Sequence, residues 1–155
     1  MITYRRATAP DAALIHALLV ENATNDGGTI AGTPETLLRH GFGVAPLFRA
    51  VLAFDDQPLG LSMFFPEYSS WRGAMGVFIQ DLFLRPAARG RGIGRGLLAA
   101  SMAEAADWQP QFLTLMVQRK NANARAFYAA LGFGARDPSD QLILQGEGLV
   151  ALTPR

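Results

Sequence analysis

Three arginines and three glycines fall within seven consecutive residues, Arg89-Gly90-Arg91-Gly92-Ile93-Gly94-Arg95. Apolar runs bracket them, Leu82-Phe83-Leu84 before and Leu97-Leu98 after, so the pattern predicts a strand, a tight turn and a helix. A helix N-terminus offers unpaired backbone N–H groups and the positive end of the helix dipole, which together bind phosphate. Glycine at 90, 92 and 94 removes the Cβ atoms that would hold a pyrophosphate away from that backbone. Arg89, Arg91 and Arg95 add fixed positive charge around it. A P-loop would close on Gly-Lys-Ser/Thr, and this turn has no lysine. A dinucleotide fingerprint needs Gly-x-Gly-x-x-Gly after the first strand, whereas these glycines alternate after what reads as the fourth. The remaining alternatives are a flexible linker or an arginine-glycine segment touching RNA, but linkers are rarely framed by two strongly apolar elements.

Other residues could move protons. Asp81 stands just ahead of the apolar strand end, beside Gln80; it reads either as a base or as a carboxylate orienting the turn or an arginine. Glu67, Tyr68 and Trp71 lie in Pro66–Gly76, read as a polar, aromatic loop, and Asp26 lies in a loop with Gly27 and Gly28. Tyr128, taken alone, reads as a core aromatic of an amphipathic helix. His16 and His40 have no paired ligands, so no metal site is expected.

The elements that position these groups follow from periodicity. Ile2–Arg6 has strand character, and Thr8-Ala9-Pro10-Asp11 opens a helix that fades near Asn22, with Leu14, Ile15, Leu18 and Leu19 on its buried stripe. Thr33-Pro34-Glu35 starts a second helix, ended by Gly41 and Gly43. Phe48–Phe54 and Leu59–Phe65 read as a hairpin around Asp55-Asp56-Gln57-Pro58, and Val77–Leu84 as a further strand. After the turn and its helix come a strand over Phe112–Val117, a helix over Ala124–Leu131, and one or two final strands from Phe133. The order is β-α-α-β-β-β-α-β-α-β without linker or repeat. It predicts one α/β (α+β) domain over residues 1–155, with a mixed, mainly antiparallel twisted sheet flanked by helices.

Composition bounds the rest. Half of the 155 residues are hydrophobic and 17% are charged, which argues against disorder. No apolar run approaches the ~18–20 residues that span a bilayer, and Met1–Arg6 shows no signal-peptide pattern. There is no cysteine, excluding disulfides, thiolate metal sites and a cysteine nucleophile and fitting a cytoplasmic location. A net charge of +1 gives no reason to expect a nucleic-acid or membrane partner.

The turn, as Arg89-x-x-Gly92-x-Gly94, matches the acetyl-CoA signature Gln/Arg-x-x-Gly-x-Gly/Ala of the GNAT superfamily of N-acetyltransferases. The stretch Asn121 to Phe133 resembles that superfamily's Asn-x-x-Ala-x-x-Phe/Leu-Tyr-x-x-x-Gly-Phe. The resemblance implies acetyl-CoA as co-substrate. Backbone groups of Leu82, Phe83 and Leu84 would pair with the pantetheine arm, and those of Gly90, Arg91, Gly92, Ile93, Gly94 and Arg95 would hold the pyrophosphate. Asn121 would bond the pantetheine, with Ala124 and Phe127 in the same segment and Tyr128 beside the sulfur as proton donor. Asn123 reads as a helix-start residue.

Leu37 to Gly43, Tyr68 to Gly73 and Asp81 to Leu84 look like the spermidine/spermine (diamine) N-acetyltransferase branch, whose members are dimeric. That implies a homodimer, with Leu59–Phe65 as material for an isologous contact. Two departures bear on the acceptor. The branch has Glu-Asp where this chain has Gln80-Asp81, and it carries several acidic residues after the first helix where this chain has Asp26 alone. Asp81 is then the nearest base, with Glu67 and Asp26 able to act through water, and Asp26, Glu67, Trp71, Gln80 and Asp81 are the acceptor-binding candidates. The expected acceptor is a small primary amine with one or two positive charges, a diamine or an amino-acid-like amine. Arg39 and Arg72, if they line the groove, favour an acceptor that also carries a carboxylate. A protein or peptide N-acetyltransferase and a non-catalytic acyl-CoA-binding module are the alternatives.

Overall fold

In the computed structural model, which describes residues 1–135, 142 and 144–152, the apolar runs pair into one sheet. Its strands are β1 (Thr3–Arg6), β2 (Arg49–Phe54), β3 (Pro58–Ser69), β4 (Ala74–Leu84) and β5 (Leu113–Leu115), in spatial order β1-β2-β3-β4-β5. The first four are antiparallel; β5 joins β4 in parallel. The sheet is mixed and mainly antiparallel, as expected.

Helices cover both faces. α1 (Ala12–Asn25) packs on β3 and β4 and against α2 (Pro34–Gly41), while α3 (Ile93–Glu104) crosses β1 to β4. Ile15, Leu18 and Leu19 of α1 and Leu37 of α2 meet Leu52, Leu61 and Phe83 in one buried cluster. Each such side chain contributes about 1.5–3 kcal/mol by leaving water. Beneath α3 the Ser101 hydroxyl lies 2.8 Å from the Leu97 carbonyl and 2.9 Å from the Ser62 hydroxyl, so this fully buried polar pair is satisfied. Arg49 of β2 reaches the C-terminal end of α3: it donates to the Glu104 carbonyl and to both Asp107 carboxylate oxygens (2.5 and 2.7 Å), with the Trp108 ring 4.2 Å away. A fixed cation there complements the helix's negative end.

The chain divides into two compact units, Met1–Met116 and Val117–Arg155. The second holds α4 (Ala122–Ala130) and α5 (Glu147–Leu152). Asn121 caps α4, its Oδ1 accepting from the Ala124 N–H at 3.0 Å. The cap thus falls two residues ahead of the expected Asn123. Gly132, at φ +92°, ends the helix: the Phe133 N–H reaches the Tyr128 carbonyl and the Gly132 N–H the Ala129 carbonyl, both at 3.0 Å. This is the Schellman pairing, and a side chain would strain it.

Several expectations need correction. Pro66–Gly76 is not a loop. β3 and β4 extend through Glu67↔Gly76 and Ser69↔Ala74, leaving only the turn Ser70-Trp71-Arg72-Gly73. Two such strands satisfy each other's backbone, so polar and aromatic residues are tolerated where no helix covers them. α1 continues to Asn25, past the expected fade at Asn22. Leu59–Phe65 lies in β3, the central strand; Leu61, Ser62 and Phe64 are fully buried and offer no surface to a second copy. The final strands expected after Phe133 fall partly on 136–141, 143 and 153–155, outside the described residues, and Glu147–Leu152 is helical.

Candidate active site

The site grows from an irregularity in β4. Met63 pairs with Asp81 and Phe64 with Ile79, so Gln80 is an extra residue without a partner, a β-bulge. β5 pairs with β4 only over Val77–Ile79. Past the bulge, β4 therefore has a neighbour on one side only among the described residues. The Arg85 N–H bonds the Leu59 carbonyl at 2.9 Å, which sets the alternation. Phe83 turns its backbone polar groups to β3, while Leu82 and Leu84 turn theirs to the open edge. Of the three residues expected to offer backbone groups to a ligand, Leu82 and Leu84 face the open edge and Phe83 faces β3, with its side chain buried in the core. The Leu84 carbonyl on that edge accepts from Arg89 Nε at 3.1 Å.

The open edge leads into the glycine turn. Gly90 and Gly92 have φ of +73° and +76°, and no atom lies within 4 Å of where a Cβ would stand on either. Gly92 is the N-cap of α3, and the first bond back to it runs from the Gly96 N–H at 3.2 Å. The N–H groups of Gly92, Ile93, Gly94 and Arg95 thus lie ahead of the helical ladder. Ile93 and Gly94 are buried, Gly90, Arg91 and Arg95 exposed. Arg91 stands 3.7 Å from the Asp55 carboxylate of the β2–β3 turn. Arg85 was not singled out in the sequence. It donates to both Glu21 oxygens (2.9 and 2.6 Å) and to the Pro58 carbonyl (2.8 Å), tying the end of β4 to α1. No local pattern marks a partner 64 residues away.

Asp81 is half-buried against α1. Burial pushes its carboxyl above its ordinary value, and a hydrogen bond from Asn22 partly holds it down. Asn22 was also missed: it reads as a helix-end residue. Asp26 sits one turn further on, exposed at the C-cap of α1. Gln80 is exposed at the bulge. On the face of the sheet that carries Asp81 lie Phe65 and Phe78, stacked with centroids 4.9 Å apart, and then Glu67, which accepts from the Thr114 hydroxyl. Trp71 is 97% exposed at the hairpin tip. Seven residues of β4 separate Ala74 from Asp81, about 23 Å at ~3.3 Å per residue, so the structure does not bring Trp71 to Asp81.

In the second unit, Asn121 Oδ1 is used by the cap at Ala124. Tyr128 is half-buried, its ring 5.1 Å from Phe127 and 5.4 Å from Phe133, and burial pushes its hydroxyl above its ordinary value. Among the described residues, no helix is long and apolar enough to cross a membrane, and no three His, Cys, Asp or Glu converge as metal ligands.

The fold, a mixed and mainly antiparallel sheet with helices on both faces, recurs among solved structures. It is shared with an integron cassette protein of V. cholerae (TM-score 0.79, 20% identity, 97% of this chain and 96% of that one). It is also shared with a ribosomal-protein-alanine N-acetyltransferase of Brucella melitensis (TM-score 0.75, 18% identity, 94% and 100%). The sequence profile of the acetyltransferase (GNAT) family matches residues 15–133, and the chain belongs to that family. Among curated proteins it is similar to thialysine N-epsilon-acetyltransferase of Bos taurus, 29% identical over 63% of this chain and 62% of that protein. It is also similar to L-ornithine N5-acetyltransferase of Arabidopsis thaliana, 34% identical over 47% and 32%. The matched region thus spans less than two thirds of either relative.

Proposed function

We propose that the protein is an acetyl-CoA-dependent N-acetyltransferase acting on a primary amine of a small molecule. The observation that carries this reading is the continuity of the open β4 edge with the glycine turn. Leu82 and Leu84 present backbone groups, and four N–H groups at the start of α3 follow them, beside glycines with free space where a Cβ would stand. That surface fits a long ligand with an amide-bearing arm and a pyrophosphate.

When bound, acetyl-CoA supplies an acetyl thioester; attack by a neutral amine forms the C–N bond and breaks the C–S bond. An alkyl ammonium of pKa ~10.4 is neutral in only about four molecules per ten thousand at pH 7, so the protein must take its proton. Asp81 does so, directly or through a water. Its raised pKa brings it nearer to the operating pH, which favours a general base. Tyr128, protonated at neutral pH like any tyrosine, returns a proton to the departing thiolate. Gln80 at the bulge cannot accept a proton and serves as a hydrogen-bonding residue of the acceptor site. The two relatives named for thialysine and ornithine support an amino-acid-like or diamine acceptor, in keeping with the few carboxylates near Asp81.

Thermal unfolding with acetyl-CoA and desulfo-CoA, then thiol release with an amine panel, tests the reading. Stabilisation by both ligands and amine-dependent thiol release are expected. Stabilisation without release from any amine would leave an acyl-CoA-binding module instead. The homodimer implied by the resemblance remains part of the proposal. A monomer mass by light scattering at micromolar concentration overturns it.

A further inference from the structure

Resting on the acetyltransferase reading, we infer that Phe65, Phe78 and the Thr114-held Glu67 form a second-cation subsite that determines which amines the enzyme prefers. The strand register puts these groups together. Met63, Phe65 and Glu67 alternate along one face of β3; opposite them on β4 stand Asp81, Phe78 and Gly76; and Thr114 of β5 lies beside Phe78. The bulge at Gln80 makes this possible. Without the extra residue, Phe78 would share a face with Leu82 rather than with Asp81.

The strip therefore runs from one carboxylate, over a stacked aromatic pair with interplanar angle 24°, to a second carboxylate. Phe65, Phe78, Glu67 and Thr114 are all half-buried rather than sealed in the core. Gly76, paired with Glu67, is where the Phe112 ring packs on the strand, within 2.2 Å of the place a Cβ would take, so Phe112 walls the strip beside Glu67. The Thr114 hydroxyl donates to Glu67 Oε2 and holds the carboxylate over the sheet.

Aromatic faces attract ammonium groups and cover the methylenes between them. A second ammonium taken from water needs the partner that Glu67 provides. From Met63 to Glu67 is four residues, about 13 Å of strand at ~3.3 Å per residue. Charge-assisted hydrogen bonds of ~2.8 Å at either end leave roughly 7 Å between the acceptor's two nitrogens. That matches a chain of four or five methylenes, with the reacting amine at Asp81 and the other at Glu67.

The test compares kcat/KM for 1,5-diaminopentane and 1-aminopentane, with saturating acetyl-CoA at one salt concentration. The wild type is expected to favour the diamine. Glu67→Gln should lower the diamine-to-monoamine ratio about tenfold, mainly through KM. Thr114→Val should lower it in the same direction, and Thr114→Ser, which keeps the hydroxyl, should restore it. Phe78→Leu leaves both carboxylates in place, so it reads the same ratio if Glu67→Gln fails to fold by thermal unfolding; a fall of threefold or more is expected. A ratio within twofold of wild type in these variants, or equal losses for both amines, overturns the subsite alone. A wild type that releases thiol with no amine overturns the acetyltransferase reading beneath it.

Discussion

On the proposed reading, the C-terminal end and the middle of β4 serve opposite charges by opposite means. At its C-terminal end, the glycine turn is built from consecutive residues. Its useful groups are backbone N–H donors, and side chains matter there mainly by their absence. In the middle of the strand, the acceptor strip draws on four elements: Asn22 from α1, Phe65 and Glu67 from β3, Phe78 and Asp81 from β4, and Thr114 from β5. Its useful groups are side chains, acidic or aromatic. An anionic donor and a cationic acceptor, as proposed, would thus meet separate, complementary fields along one strand. The turn should be sensitive to changes of backbone and tolerant of changes of charge, and the strip the reverse.

The sharpest test on the strip is Asp81→Asn, expected to lower kcat by ~10²–10³ while acetyl-CoA still stabilises the protein. In the wild type, kcat should rise with pH through an inflection above the ~3.9 of an ordinary aspartate, because the ionised carboxylate is the active form and burial raises its pKa. The same shift carries a sign for stability. A raised carboxyl pKa means that the folded state favours the protonated form, so stability is lost as pH rises through the folded value. Asp81→Asn should therefore raise Tm at neutral pH, with the gain shrinking as the solution is acidified. A variant that loses activity and stability together would contradict the assigned environment.

On the turn, Gly92→Val places a β-branched residue at φ +76° and should weaken acetyl-CoA binding at least tenfold. Arg91→Ala, which removes only a 3.7 Å ion pair and a surface charge, should cost less than threefold. If Arg91→Ala costs more than Gly92→Val, side-chain charge rather than backbone is the chief phosphate ligand, and the contrast between the regions collapses. In the second unit, Tyr128→Phe should lower kcat by about tenfold with acetyl-CoA affinity little changed. The smallest effect is expected away from both regions. Ser62→Ala leaves Ser101 bonded to the Leu97 carbonyl, so it should cost about 1 kcal/mol and leave kcat/KM unaltered.

The glycine turn was legible in the sequence because its chemistry is local. Alternating glycines after an apolar run specify a turn and a helix start without reference to the rest of the chain. The cap at Asn121 and the stop at Gly132 are local in the same way, although the cap was read two residues late. The long hairpin was misread because Pro66, Glu67 and Tyr68 look like a loop until the partner strand supplies their hydrogen bonds. Asp81 was found by position, but its environment was not, since Asn22 approaches from 59 residues away.

By itself, the order of apolar runs, caps and glycines determined the class of sheet, the helices over it and the glycine turn that opens α3. Each of these depends on interactions within a few residues. Only the tertiary structure decided that Gln80 is the bulged residue, that β5 leaves the β4 edge after Ile79, and that Arg85 is locked to Glu21. It also decided that Phe65, Glu67, Phe78, Asp81 and Thr114 share one face. Strand register is a property of pairs of strands. A shift of one residue turns every side chain to the other face of the sheet, and no single strand's sequence records which of the two was chosen.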